Sequence, residues 1–166
     1  MKSKQFSIII MLSVSILSSL TVISQDSITI KTLPLITVTA ETRKIPKQIW
    51  KNFSTYFNEA ENPRWYKANK NYLVKFMIYD EENRALFTKR GNMIYHISYG
   101  YENNMPDDIY KQVRTAYFEY DITRAIKITE ADRLIWVINL EDKNTIIIAR
   151  IEEGVLEEVS RLKKQE

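Results

Sequence analysis

The residues best equipped for chemistry are carboxylates, and they cluster: Asp80-Glu81-Glu82, Glu130 with Asp132, Glu141-Asp142 and Glu152-Glu153. Two carboxylates flanking a bond can hydrolyse a glycoside, and several oxygens at alternating loop positions, with a glycine at the bend, can hold Ca²⁺. Each cluster falls in a segment that reads as a turn, and none has the calcium-loop spacing. A hydrolytic pair would have to be drawn from two different turns, so solvated turns are the expectation. His96 is the sole histidine, set between Tyr95 and Ile97 with no nucleophile motif beside it. A general base needs a group that orients it and a nucleophile to deprotonate, so His96 reads as a structural or surface residue. The chain contains no cysteine, which excludes disulfides, thiolate metal sites and a cysteine nucleophile. The expectation is a protein that is not an enzyme, with no catalytic residues, no metal and no cofactor.

A binding surface must then be sought in the elements. The 166 residues are 45% hydrophobic with only 3 Gly and 4 Pro, enough for a packed core and too regular for a loop-rich chain. Ten Tyr, six Phe and three Trp tilt it toward strands, where aromatic and branched side chains fit a pleated surface. The pattern Ile45 to Ile49 returns from Met105 to Ile109, a fixed shift of 60 residues, and the apolar periodicity follows it. Ile49, Phe53 and Phe57 match Ile109, Val113 and Tyr117; Val74, Phe76 and Ile78 match Leu134, Trp136 and Ile138. Such a shift predicts an internal repeat.

Each repeat opens on a helix. Pro46 and Pro106 suit its first position, and Ile49, Trp50, Phe53, Tyr56 and Phe57 form one stripe of a 3.6-residue period. Four short strands separated by turn chemistry follow each helix, which favours antiparallel hairpins. The predicted fold class is α+β: two tandem helix-plus-four-stranded antiparallel meander repeats, 45–101 and 105–162, forming one curved sheet with helices on one face.

The N-terminus points to export. Lys2 and Lys4 precede an apolar run from Phe6 to Ile23, with a small residue at Ser24 before Gln25-Asp26. That is the layout of a secretory signal peptide over 1–24, cleaved near Ser24/Gln25. The rest would be periplasmic or secreted, with no membrane association after cleavage. Residues 25–44 read as an extended leader, a linker or an extra edge strand, ahead of the domain at 45–166. The net charge of +3 falls to +1 once Lys2 and Lys4 are gone, too little to predict nucleic-acid binding.

Several of these residues occur together in a known pattern. The Pro-x-x-Ile helix start, the Ala60-x-Asn62-x-x-Trp65 step and the Tyr72-x-Val74-x-Phe76 strand resemble the β-lactamase-inhibitor-like, PepSY-like family of secreted bacterial proteins. The resemblance covers roughly Ile45 to Leu162 and implies a curved antiparallel sheet with helices on one face, and a non-enzymatic, inhibitor-like binding role. The absence of cysteine separates this chain from the β-lactamase inhibitor itself.

Strand alternation divides the sheet's two faces. Tyr72, Val74, Phe76, Ile78 with Leu134, Trp136, Ile138, Leu140 are expected to face the helices. The other face carries Leu73, Lys75, Met77, Tyr79 with Ile135, Val137 and Asn139, too apolar a set for plain water contact. Tyr95, Tyr99 and Tyr101 add to it or to the core, depending on register. The expected partner-binding residues are Lys75, Met77, Tyr79, Ile135, Val137 and Asn139, and the expected partner is a protein or peptide. The alternative is a self-associating envelope protein, a homodimer whose open faces cover one another.

Overall fold

The computed structural model of the chain describes residues 38–42 and 44–165. The predicted signal peptide and most of the predicted leader lie outside the described residues. In chain order the elements are β1 (Val38–Glu41), α1 (Lys47–Tyr56), β2 (Glu61–Ala68), β3 (Asn71–Ile78), β4 (Glu81–Phe87) and β5 (Met93–Gly100). A 3₁₀ turn (Glu102–Asn104), α2 (Asp107–Ala116), β6 (Asp121–Glu130), β7 (Arg133–Glu141), β8 (Thr145–Glu152) and β9 (Val155–Lys163) complete it.

These strands make one antiparallel sheet in the order β1-β2-β3-β4-β5-β6-β7-β8-β9. The expected fold class, a pair of helix-plus-four-stranded meander repeats, is therefore corrected to a single, mostly β architecture carrying two short helices. The reason is the junction. After the excursion through the 3₁₀ turn and α2, the chain returns to pair β6 directly with β5, from Tyr95↔Glu130 to Gly100↔Ala125. Hydrogen bonding thus runs through the point where a block boundary was expected, and β1, from the predicted leader, adds a ninth strand at the β2 edge.

Both helices cover the same side of the sheet. Facing residues in an antiparallel ladder share a side, and the register carries Val74, Ala85, His96, Thr129 and Leu134 across β3 to β7 on that side. Ile49, Phe53 and Phe57 of α1 and its exit pack on Trp65, Val74, Phe76, Ala85 and Phe87. The ring of Phe53 meets Phe76 edge-on at 5.1 Å and Trp65 at 5.2 Å, geometries favoured by the ring quadrupoles. Under α2, Val113 closes on Ala125, Trp136, Ile138, Leu140, Ile147, Ala149 and Ile151.

Both prolines cap rather than open the helices. Pro46 and Pro106 keep extended ψ values of 136° and 149°, and their carbonyls accept from the amides of Trp50 and Tyr110. Asp107 and Asp108 stand in the first turn of α2, where negative charge offsets the helix dipole; α1 has no acid there.

Connections are tighter than expected. Two residues join β2 to β3, β3 to β4, β6 to β7 and β8 to β9. Glu81, read from sequence as a turn residue, lies inside β4, as does Asn83. Tightness imposes left-handed backbone at φ between 50° and 54° on Asn69, which tolerates it, and on Tyr79, Ala131 and Glu153, which resist it.

Candidate functional site

Two surfaces hold the polar and aromatic groups that could act: a seam between the two cores on the helix side, and the opposite side of the sheet. At the seam, β4 and β5 align Asn83 with Ser98 and Ala85 with His96. Asn83 donates to the Glu81 carbonyl at 2.8 Å and presents its own carbonyl to His96 Nε2 at 2.9 Å. With the amide so oriented, Nε2–H is the donor. The imidazole lies 4.7 Å from the Phe57 ring and stacks on Phe76 at 18°. Burial in this aromatic setting, aided by the Lys127 charge, lowers its pKa to about 4. Ser98 Oγ and Asn104 Nδ2 both donate to the Glu81 carboxylate. Each group at the seam is thus occupied by a neighbour, and a neutral, donating His96 is a structural member of the network. No group of three or more His, Asp or Glu suited to a metal ion occurs among the described residues.

Neither helix packs on the opposite side of the sheet. Alternation puts Lys75 and Met77 of β3 there, and Ile135, Val137 and Asn139 of β7. Strands stand about 4.8 Å apart, so the two groups are separated by roughly 19 Å. Lys75, Met77, Val137 and Asn139 are half-buried, whereas Ile135 is only 9% exposed. Tyr79 does not belong to the face. It occupies the β3–β4 turn with φ 51° and is 76% exposed, and hydrogen bonding to Glu59, followed by that carboxylate's charge, raises the phenol's pKa.

Sequence reasoning missed what fills the gap between β3 and β7. Ile97 and Tyr99 of β5 pair with Ile128 and Ile126 of β6, which in turn pair with Ile135 and Val137. These side chains are half-buried save Ile135, and they join the two predicted groups into one surface. The alternation of Tyr95, Ile97 and Tyr99 was the available signal, but its side of the sheet depends on register, which sequence does not fix. Tyr95 and Tyr99 lie on this face; Tyr101 follows the end of β5, its ring 4.4 Å from the Arg124 guanidinium. Toward the β2 end the face closes on itself: Ala68, Leu73 and Leu86 are buried beneath Tyr66, Ile94 and Tyr95.

Cations border the apolar surface and rest on its tyrosines. Lys75 Nζ is 5.5 Å from the Tyr66 ring, and the Arg84 guanidinium is 4.7 Å from Tyr99 while paired to Glu82. On the β7–β9 side Arg150 bridges Glu152 and Glu157. The outcome is an aliphatic strip with aromatic and charged margins.

No family model matches the sequence, and no curated protein does. Solved structures do. The chain is similar to a BLIP-like protein from Bacteroides fragilis, with a TM-score of 0.58 at 12% identity over 74% of this chain and 88% of that one. A DUF2874 family protein from Bacteroides ovatus gives 0.57 at 13%, over 74% and 89%. A proposed periplasmic protein from Bacteroides eggerthii gives 0.55 at 10%, over 72% and 89%. At these identities the likeness establishes the fold: the chain has the fold of the BLIP-like and DUF2874 proteins. No helix among the described residues is long and apolar enough to cross a membrane.

Proposed function

We propose that this chain is an exported, non-enzymatic binding module, inhibitor-like in architecture, that engages a protein or peptide through the sheet face opposite its helices. The observation that carries this reading is the continuous half-buried surface of Ile97, Tyr99, Ile126, Ile128 and Val137, which neither α1 nor α2 covers. A contiguous apolar patch with an aromatic margin marks an interaction site. Lys75, Met77 and Asn139 extend it, and Ile135 is a buried member of the same face. The likeness to a BLIP-like structure and the signal-like N-terminus agree with such a role outside the cytoplasm.

The test is capture from envelope extract by immobilised chain, run beside two variants. Val137→Asp on the open face is expected to abolish capture, while Trp50→Ser on the exposed side of α1 retains it. Equal capture by all three proteins defeats the reading. Self-association through the same face would instead give a stable dimer in light scattering that Val137→Asp dissociates.

A further inference from the structure

We infer that the open face is built to receive an amphipathic helix of a protein partner, acidic at one end and aliphatic at the other, lying across the strands. The observation is a single cross-strand row. Arg64 of β2 is in register with Lys75 of β3, and Lys75 with Arg84 of β4. The row continues as Ile97 of β5, Ile128 of β6 and Ile135 of β7. Three cations are thus followed by three isoleucines along one line.

Folding alone disfavours this arrangement, because like charges directly opposite one another destabilise a strand pair. Among the described residues, no carboxylate lies within ion-pair distance of Arg64 or Lys75, and only Glu82 pairs with Arg84. Tyr66 and Tyr99 support the Lys75 and Arg84 side chains rather than neutralise them. An occupant bearing carboxylates would remove the repulsion, and its aliphatic continuation would cover the half-buried Ile97 and Ile128, beside the already buried Ile135.

Spacing selects the form of that occupant. Neighbouring strands stand about 4.8 Å apart, close to the 5–6 Å between residues three or four apart on a helix. Six strands span roughly 24 Å, the length of a helix of about 16 residues. An extended segment lying across the strands could make no backbone ladder with them, whereas a helix needs none.

This inference rests on the reading of the face as the binding surface, and its experiment separates the two. The probe is a stapled helical peptide of about 16 residues, with glutamate on one face of its first half and leucine on the same face of its second. Two control peptides replace glutamate by lysine, or leucine by serine. Binding to the full-length chain is followed by fluorescence anisotropy over a range of salt concentrations. The Glu–Leu peptide is expected to bind at least about tenfold more tightly than either control and to weaken as salt rises. The double variant Arg64→Gln/Lys75→Gln is expected to lose that tenfold advantage, with its folding checked by near-ultraviolet circular dichroism. Equal binding of the lysine peptide overturns the charge inference and leaves the open-face reading intact. Failure of all three peptides, together with envelope capture that survives Val137→Asp, removes both. Sedimentation of the chain with phosphatidylglycerol vesicles, without binding of the Glu–Leu peptide, assigns the cations to a lipid surface and also overturns the inference.

Discussion

His96 shows how a residue suited to chemistry is committed to structure. Its ring is held neutral between Phe57 and Phe76, donating to Asn83. The folded pKa of about 4 lies below the ordinary 6.5, so the unfolded chain takes up a proton first as pH falls. The stability that the neutral ring contributes is complete above pH 6.5 and is lost between 6.5 and about 4. The full pKa difference corresponds to about 3 kcal/mol, and solvent screening of the ring's exposed part reduces this to about 2. Urea titrations at pH 7 and pH 4.5 should reveal the loss, and His96→Gln should flatten that part of the pH dependence. Gly100 makes a second residue-scale case. A Cβ there would lie 2.9 Å from Asn104 Cβ and Oδ1. Asn104 is fixed by the Tyr101 amide and the Glu81 carboxylate, so it cannot yield without breaking the seam. Gly100→Ala is expected to destabilise by about 1–3 kcal/mol, read as a lower urea midpoint at unchanged slope.

At the scale of elements, the hairpins are the strained parts. Tyr79 and Ala131 adopt φ of 51° and 50° in two-residue turns where glycine would sit without penalty. Register leaves no choice: Ile78 pairs with Glu81 and Glu130 with Arg133, so the chain must reverse within two residues. Ala131→Gly removes the steric penalty of about 1–2 kcal/mol and adds about 0.5–1 of chain entropy cost, a net gain of about 0.5–1 kcal/mol. Thermal melting should show a raised midpoint; a lowered one would mean that the left-handed turn carries no strain. The helices meet the opposite situation. Short and uncapped by side chains, α1 owes its persistence to burial of Ile49 and Phe53 rather than to its own ends.

Across the whole molecule, the decisive feature is that β5 pairs with β6. Two apolar cores lie on the helix side, one holding Trp65 and the other Trp136, with the seam of Glu81, Asn83, His96 and Ser98 near their boundary. An unbroken ladder between them couples their unfolding. Trp136→Phe leaves fluorescence to report the first core, and Trp50→Phe/Trp65→Phe leaves it to report the second. Both proteins are expected to give one transition whose midpoint coincides with circular dichroism of the same variant. A fluorescence midpoint displaced from the circular-dichroism midpoint would show that the ladder across β5 and β6 is too weak to join the halves.

Much of this protein was legible in its residues because the relevant forces are local. The helical stripe of Ile49 and Phe53, the strand alternation around Val74 and Trp136, and the absence of cysteine follow from side-chain period and composition, which need no knowledge of distant neighbours. Tertiary structure alone decided which strands meet. Sequence suggested two blocks, but hydrogen bonds between strands carry no residue code, so only the folded chain places β6 against β5 and β1 on β2. The same pairing moved Glu81 from a turn into the seam beside Asn83, sent Tyr79 out of the open face, and set Arg64, Lys75 and Arg84 in one row. Register is a long-range choice, and every cross-strand contact inherits it.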